Sequence, residues 1–291
     1  MIDVRLIRED REAVTAALAR RGVERAEVER VAQLDEVARE RLQEQEALRA
    51  RVKELSRRFA ETKRSKDEAA AAALQAESRA LGEREREAGA AADGAQEELR
   101  QALLLLPNLP SSETPDGAGP EDNVELRRWW PGIEDGTPAP AWADHQRVPH
   151  WEVGEELGIL DLERGARLSG SMFPLYRGMG ARLLRALSAL ALARHGDAYE
   201  EIRPPTLVLT ETMTATGHLP KFSDEAYHIE RDDLWAIPTA EVPLTSLYRG
   251  EILEEGSLPM RFCAVTPCFR REAGAAGRDT RGLLRVHEFD K

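Results

Sequence analysis

The chain has 291 residues, 42% of them hydrophobic and 32% charged, with a formal net charge of -12. That length accommodates two ordinary domains, and the acidic balance excludes a global basic field, so any contact with nucleic acid must come from a local patch. The only cysteines, Cys263 and Cys268, exclude a disulfide framework and fit a reducing cytoplasm; with no second pair or nearby His cluster they do not make a metal site, and half-buried thiols on or beside a strand are expected.

The N-terminus, MIDVRLIRED, has no apolar signal region. No window approaches the ~20 apolar residues of a membrane span; the nearest, 183–192, is short and interrupted by Arg185. A soluble, cytoplasmic protein without a membrane partner is expected. Residues 1–25 read as a small helical base, with Asp3 or Asp10 as caps and Val14 and Leu18 at helical spacing.

From 28 to 59 the apolar positions follow a heptad. Val31, Ala38, Val52 and Phe59 mark one seam position, broken by Gln45, and Leu34, Leu48 and Leu55 mark the other, broken by Arg41. A second stripe steps by three and four through Ala71, Leu74, Ser78, Leu81, Glu85, Ala88, Ala92, Ala95, Leu99, Ala102 and Leu106. Gly82, Gly89 and Gly94 weaken this second helix. Two seams joined near 61–67 predict an antiparallel helical hairpin with arms of roughly 50–60 Å at 1.5 Å per residue. Towards its tip stand Arg49, Arg51, Lys53, Arg57, Arg58, Lys63, Arg64 and Lys66, opposed only by Glu54 and Glu61. This is either a solvated helix face or a phosphate-contacting arm.

Four Pro and two Gly between Pro107 and Pro120 break the helix, giving an arm of 1–108 and a second domain of 109–291. Within the latter, 124–130 is a short strand candidate and 131–146 a loose stretch. A helix is expected over 151–162, a strand with turns over 168–178, an amphipathic helix over 180–195, and a strand over 199–209 broken by Pro204-Pro205. Further strands are expected over 234–238, 260–269 and 282–289. Successive strands without βαβ alternation predict an α+β fold, with an antiparallel sheet and flanking helices. No Rossmann or Walker pattern is present.

Two constellations carry chemistry. In Cys268-Phe269-Arg270-Arg271-Glu272, Arg270 and Glu272 alternate onto one strand face. An Arg there can grip a phosphate bidentately, and the carboxylate can accept from an amine or help hold Mg²⁺. A Gly-rich loop with Arg278 and Arg281 leads to a return strand where Leu283, Arg285, His287 and Phe289 share a face. Phe289 is either core or a platform for a purine, and His287 is either structural or functional. In Thr239-Ala240-Glu241 a hydroxyl and a carboxylate lie on one side of an extended segment. They either bind a small ammonium group or form a helix cap.

MIDVRLIRED, the long hairpin, LLLLPNLP, LSGSMFPLYRGMGARL, TGHLPKF, IPTAEVPLT and CFRREAGAAGRDTRGLLRVHEFDK together resemble, nearly end to end, the bacterial-type seryl-tRNA synthetases (serine–tRNA ligases) of class II. The resemblance implies that the hairpin reaches the long variable arm of tRNA(Ser), and by family also tRNA(Sec), with Arg57, Arg58, Lys63 and Arg64 as tRNA contacts. It implies a homodimer, with the strand ending at Pro204-Pro205 in the first class II motif. It assigns Thr239, Ala240 and Glu241 to L-serine, and Arg270, Arg271, Glu272, Val286 and Phe289 to ATP. Arg270 is then the catalytic group, acting with Mg²⁺, and no residue is a dedicated metal ligand. The reaction is ATP-dependent formation of seryl-adenylate followed by transfer to tRNA.

In the family the pattern continues with an acidic serine contact, further strands and a third motif bearing an ATP-binding Arg. The catalytic sheet is therefore expected to be incomplete, ending within the second motif, and the chain to be an inactive, C-terminally truncated form. Arg271 stands where Ser is common, Met172 where Arg is, and His218 and Glu288 where Gln is. These departures leave two alternatives open: a non-catalytic tRNA-binding paralogue and a paralogue serving specialised metabolism.

Overall fold

The computed structural model describes residues 2–64, 68–127, 143, 147–273 and 282–291. The chain forms two compact units, Met1–Leu126 and Arg127–Lys291.

The first unit opens with α1 (Val4–Glu9) and α2 (Arg11–Ala19). Both expected caps form. The Asp3 carboxylate accepts from the Arg5 N–H and the Asp10 carboxylate from the Ala13 N–H, satisfying first-turn donors that otherwise lack partners. After α2, Gly22 sits at φ +74°. The Val23 N–H there reaches back to the Leu18 carbonyl, a glycine-dependent helix stop. Next come α3 (Arg25–Arg64) and α4 (Glu68–Leu105). The expected join overlaps 65–67, which lie outside the described residues.

The arms run antiparallel. Val28 and Val31, at the start of α3, pack with Leu103 and Leu106 at the far end of α4 and with Ile2, Ile7, Val14 and Leu18 of the base. Further out, Leu48 and Leu55 pack with Leu81. Each buried aliphatic contributes about 1.5–3 kcal/mol. From Leu74 to Leu106, every residue of the predicted second stripe is buried or half-buried. The three glycines do not interrupt α4. Gly89 is buried, and a Cβ there would stand 3.0 Å from the Gln45 amide, so the polar break in one seam faces a glycine in the other.

The heptad did not anticipate Asp35. Its side chain is 3% exposed and accepts from Arg8 at 2.5 Å and from Arg39 at 3.1 Å. The Arg8 hydrogen bond is the main reason its carboxyl pKa lies below the ordinary value. This pair ties the base to the hairpin.

The unit extends to Leu126, beyond the boundary expected from composition. Arg20 holds the Asp116 carboxylate and the Thr114 carbonyl, and Arg21 donates to the Asn108 carbonyl at 2.9 Å. Residues 124–127 form no strand; the rest of that candidate, 128–130, and most of the loose stretch 131–146 lie outside the described residues.

In the second unit, α5 (His150–Glu156) and α6 (Leu162–Ser169) replace the single helix expected over 151–162. Gly158 at φ +65° ends the first, and the Asp161 carboxylate caps the second through the Arg164 N–H. That cap also corrects the strand expected over 168–178. Its start belongs to α6, and only Tyr176 makes a bridge, to Leu160. Then follow α7 (Met179–His195), β1 (Glu200–Glu201), β2 (Leu207–Leu209), α8 (Thr210–Ala215), β3 (His228–Ile229), β4 (Leu234–Ala236), α9 (Glu241–Thr245), β5 (Phe262–Cys263), β6 (Pro267–Phe269) and β7 (Glu288–Asp290). The strand expected over 260–269 is thus two strands, and that over 282–289 narrows to β7.

Strands β2, β4 and β3 form an antiparallel sheet in that order, and β6 pairs antiparallel with β7. The β1–β5 pair is parallel, a local addition to the otherwise antiparallel pairing. The long connection between β1 and β5 leaves room for the crossover that parallel pairing needs. Val208, Met213, Leu219, Ala226, Trp235, Ile237 and Val242 form the core. Cys268 on β6 is fully buried and Cys263 on β5 half-buried; both are free thiols. No helix among the described residues is long and apolar enough to cross a membrane.

Replacing Arg8 with Ala leaves the buried Asp35 carboxylate with Arg39 alone. Urea unfolding of the full chain should show a loss of about 1–3 kcal/mol. Asp35 has a depressed pKa, so the stability it contributes is present above the ordinary carboxylate pKa of about 3.9 and is lost as pH falls through its lower native value. The penalty of Arg8→Ala should therefore shrink in strong acid.

Candidate active site

The register Cys268↔Phe289 and Phe269↔Glu288 sets the geometry. One residue beyond β6, the Arg270 N–H donates to the His287 carbonyl at 2.9 Å. His287 Nδ1 returns a hydrogen bond to the Arg270 carbonyl at 2.8 Å, so that nitrogen carries the proton. The His287 ring stacks on Phe173 at 5.0 Å, and the His287 backbone N–H donates to the Met172 carbonyl. The exposed Arg270 guanidinium lies over the Phe289 ring, 4.9 Å from its centroid.

Arg271 points elsewhere: its N–H and guanidinium donate to the Glu225 and Asp224 carbonyls. Glu272 adopts φ +50°, unusual for a residue with a side chain. Its carboxylate is 9% exposed and paired closely with Arg285 through Oε2. The shared face expected for Arg270 and Glu272 as strand neighbours is replaced by this turn. Val286 is buried. The loop 274–281, with Arg278 and Arg281, lies outside the described residues.

The second constellation packs beside the first. The Phe269 N–H donates to the Ile237 carbonyl at 2.8 Å, just before Thr239. Thr239 and Ala240 are buried, while Glu241 is exposed. The segment is not extended: Ala240 has helical angles and Glu241 begins α9. Thr239 Oγ1 accepts from the Glu241 N–H at 3.4 Å and from Lys291 Nζ at 2.8 Å; the residue at the N-cap of α9 is Ala240. Lys291 Nζ lies 3.7 Å from the Glu241 carboxylate. The structure therefore brings Thr239, Glu241 and Lys291 into one polar cluster, close to the Arg270–Phe289 pair.

Lys291, Arg285 and His218 escaped the sequence reading as site neighbours. Alternation on the return strand put Arg285 on the same face as Phe289, but nothing local signals its turn partner Glu272. The charges of Glu241, Arg270 and Lys291 all reach His218. Among the described residues no group of three or more His, Cys, Asp or Glu is placed to hold a metal ion, and the carboxylate considered for Mg²⁺, Glu272, is engaged by Arg285. In the first unit, Arg57, Arg58, Lys63 and Arg64 are all exposed. Among the described residues Arg57 lies 4.0 Å from Glu61.

Comparison with known proteins accounts for both units. Residues 222–291 match the tRNA synthetase class II core domain (G, H, P, S and T), and residues 1–110 match the Seryl-tRNA synthetase N-terminal domain. A helical hairpin ahead of a class II synthetase core is the class of protein that these features define. The serine–tRNA ligase of Geotalea uraniireducens is 45% identical over 293 residues, covering 100% of this chain and 67% of its own length. That of Synechococcus elongatus is 44% identical over 296 residues, with the same coverage. Among solved structures, seryl-tRNA synthetase from Pyrococcus horikoshii complexed with ATP superposes with a TM-score of 0.79 at 31% identity, covering 100% of this chain and 68% of that one. The cytoplasmic enzyme of Naegleria fowleri with AMP gives 0.74 at 25% identity, covering 100% and 65%. The chain belongs to the seryl-tRNA synthetase family and spans about two thirds of the length of these relatives.

Thr239→Val removes the acceptor used by both Lys291 and the Glu241 N–H. The expected result is a loss of about 1 kcal/mol in urea unfolding of the chain, seen as a lower midpoint at unchanged slope.

Proposed function

We propose that the protein containing this chain activates L-serine with ATP and transfers it to tRNA(Ser), and by family resemblance to tRNA(Sec), as a cytoplasmic homodimer. The observation that carries this reading is the juxtaposition of the Arg270–Phe289 pair with the Thr239–Glu241 cluster, in a chain whose full length matches serine–tRNA ligases.

The geometry suggests how the parts would act. Arg270 grips the ATP α-phosphate, Phe289 stacks on adenine, and Glu272, held by Arg285 through Oε2, offers Oε1 to the adenine amino group. Arg271 and Val286 line the nucleotide through backbone and packing contacts. Adenine stacking on the face of Phe289 that Arg270 covers requires the guanidinium to leave it. That costs about 0.5–1 kcal/mol and frees the same guanidinium for phosphate. Glu241 takes the serine ammonium, with Thr239 and Ala240 completing the wall. Serine carboxylate oxygen then bonds to the α-phosphorus as the bond to the β-phosphate breaks, releasing pyrophosphate. The tRNA ribose hydroxyl next attacks the acyl carbonyl and releases AMP. Neither step needs a protein nucleophile, so catalysis rests on positioning and charge neutralisation. Mg²⁺ would enter with ATP as part of the substrate.

The division of labour follows: residues 1–108 bind tRNA through Arg57, Arg58, Lys63 and Arg64, and 109–291 carry the chemistry. Dimerisation is supported by the exposed row Leu183, Leu187 and Leu190 on α7, each about half accessible, shortly before β1. We further propose that the 291 residues by themselves are inactive, because the relatives devote a further third of their length to residues this chain does not match.

In a longer form with measurable serine-dependent ATP–pyrophosphate exchange, Arg270→Ala should lower the rate by about 10²–10³. Retention of the wild-type rate would remove Arg270 from the chemistry. The 291-residue chain should show no exchange, and a measurable rate would refute its inactivity. Changing Arg57, Arg58, Lys63 and Arg64 together to Ala should weaken tRNA(Ser) binding and flatten its salt dependence, by about one log-log unit for each phosphate no longer neutralised. An unchanged slope would return these residues to a solvated face.

A further inference from the structure

His150, the first residue of α5, has no role in the scheme above. Its Nε2 accepts the Leu283 backbone N–H at 2.8 Å, across 133 residues of sequence. A backbone N–H only donates, so Nε2 bears the lone pair and the proton of the neutral imidazole sits on Nδ1. The Trp151 ring packs against the imidazole at 81°, with 5.1 Å between centroids. The turn itself is shaped to this contact. Gly282 adopts φ +74°, and a Cβ there would collide with both His150 and Trp151. The left-handed backbone and the close approach both demand glycine.

The consequence falls on the nucleotide side. The return segment is gripped at two backbone positions: Leu283 by His150, and His287 by the Met172 carbonyl, which accepts its N–H at 3.0 Å. Midway between them, Arg285 pairs with the Glu272 carboxylate, the group assigned above to the adenine amino group. Arg285 occupies Oε2, so the direction left to Oε1 is set by where Arg285 stands. The grip at 287 comes from a main-chain carbonyl, whereas the grip at 283 comes from a side chain. His150 is thus the side chain that fixes the approach of Arg285.

We propose that His150 is a positioning residue for adenine recognition: by accepting the Leu283 N–H it holds the turn that places Arg285 and, through Arg285, the Glu272 carboxylate. The inference rests on the nucleotide-site reading. Its chemical signature is selective. A carboxylate accepts from the 6-amino group of adenine but meets a carbonyl at that position of hypoxanthine, which has no proton to give there. Loss of the grip at 283 therefore costs ATP its amino contact and costs inosine 5′-triphosphate little.

The test is calorimetric titration of the full chain with ATP and with inosine 5′-triphosphate, in wild type, His150→Ala, His150→Gln and His150→Asn. His150 is exposed, so none of these replacements empties the core. In His150→Ala, ATP affinity should fall about fivefold, the effect of one lost hydrogen bond, with inosine 5′-triphosphate nearly unchanged. Gln sets an amide oxygen where Nε2 stood and should restore most of the loss; Asn, one bond shorter, should not. On the unmodified chain, a ¹⁵N–¹⁵N coupling between the Leu283 amide and His150 Nε2 should be seen across the hydrogen bond, and its absence would overturn the inference however the variants behave. If wild type fails to bind ATP, or binds both nucleotides equally, the nucleotide reading falls and takes this inference with it. If wild type prefers ATP and His150→Ala does so to the same degree, or His150→Gln is no better than His150→Ala, the His150 assignment alone is overturned. An equal loss for both nucleotides would reduce His150 to a structural contact and also overturn it.

Discussion

The pairing of β6 with β7 is the constraint on which the candidate site depends. Three residue pairs fix its register, and a shift by one would turn Phe289 to the opposite face. With the register set, Arg270 and His287 exchange two hydrogen bonds, Arg270 comes over Phe289, and the chain end returns along Thr266. That return delivers Lys291 to Thr239. Residues far apart in sequence thus meet through one short ladder, and the hydrogen bond from Phe269 to the Ile237 carbonyl joins that ladder to the segment bearing Thr239. The fully buried Cys268 lies at its centre.

The hairpin was legible because its stability comes from periodicity. Three-four spacing specifies which side of each helix is covered, and the partner stripe specifies what covers it. Leu48, Leu55 and Leu81 meet as the stripes imply. Asp35 was not legible, since its partner Arg8 lies in a different helix and no local pattern predicts a long-range ion pair. In the second unit the strands are only two or three residues long, too short for alternation to locate their ends. The helix at 162–169 was missed although the Asp161 cap announces its start.

The geometry of the candidate site was not legible in the sequence. Thr239 is not the helix cap, since Ala240 holds that position; its hydroxyl accepts from the Glu241 N–H and from Lys291. Arg271, expected against the nucleotide, is instead committed to the backbone of 224–225. Glu272 leaves the strand face because its backbone turns into the left-handed region, where its carboxylate pairs with Arg285. Such strain is tolerated where surroundings over-determine it, and no single-residue propensity announces it.

The length of α3 has a mechanical consequence. A helix of 40 residues is a rod about 60 Å long, anchored at one end by the base and by the Asp35–Arg8 pair. Over that radius a rotation of about 5° at the anchor sweeps the far end by about 5 Å, more than the reach of a hydrogen bond. The positional accuracy of Arg57, Arg58, Lys63 and Arg64 is therefore set about six to ten turns away, by how firmly a few buried side chains and one ion pair hold the pivot. Softening the pivot would blur the tip without altering a single residue there.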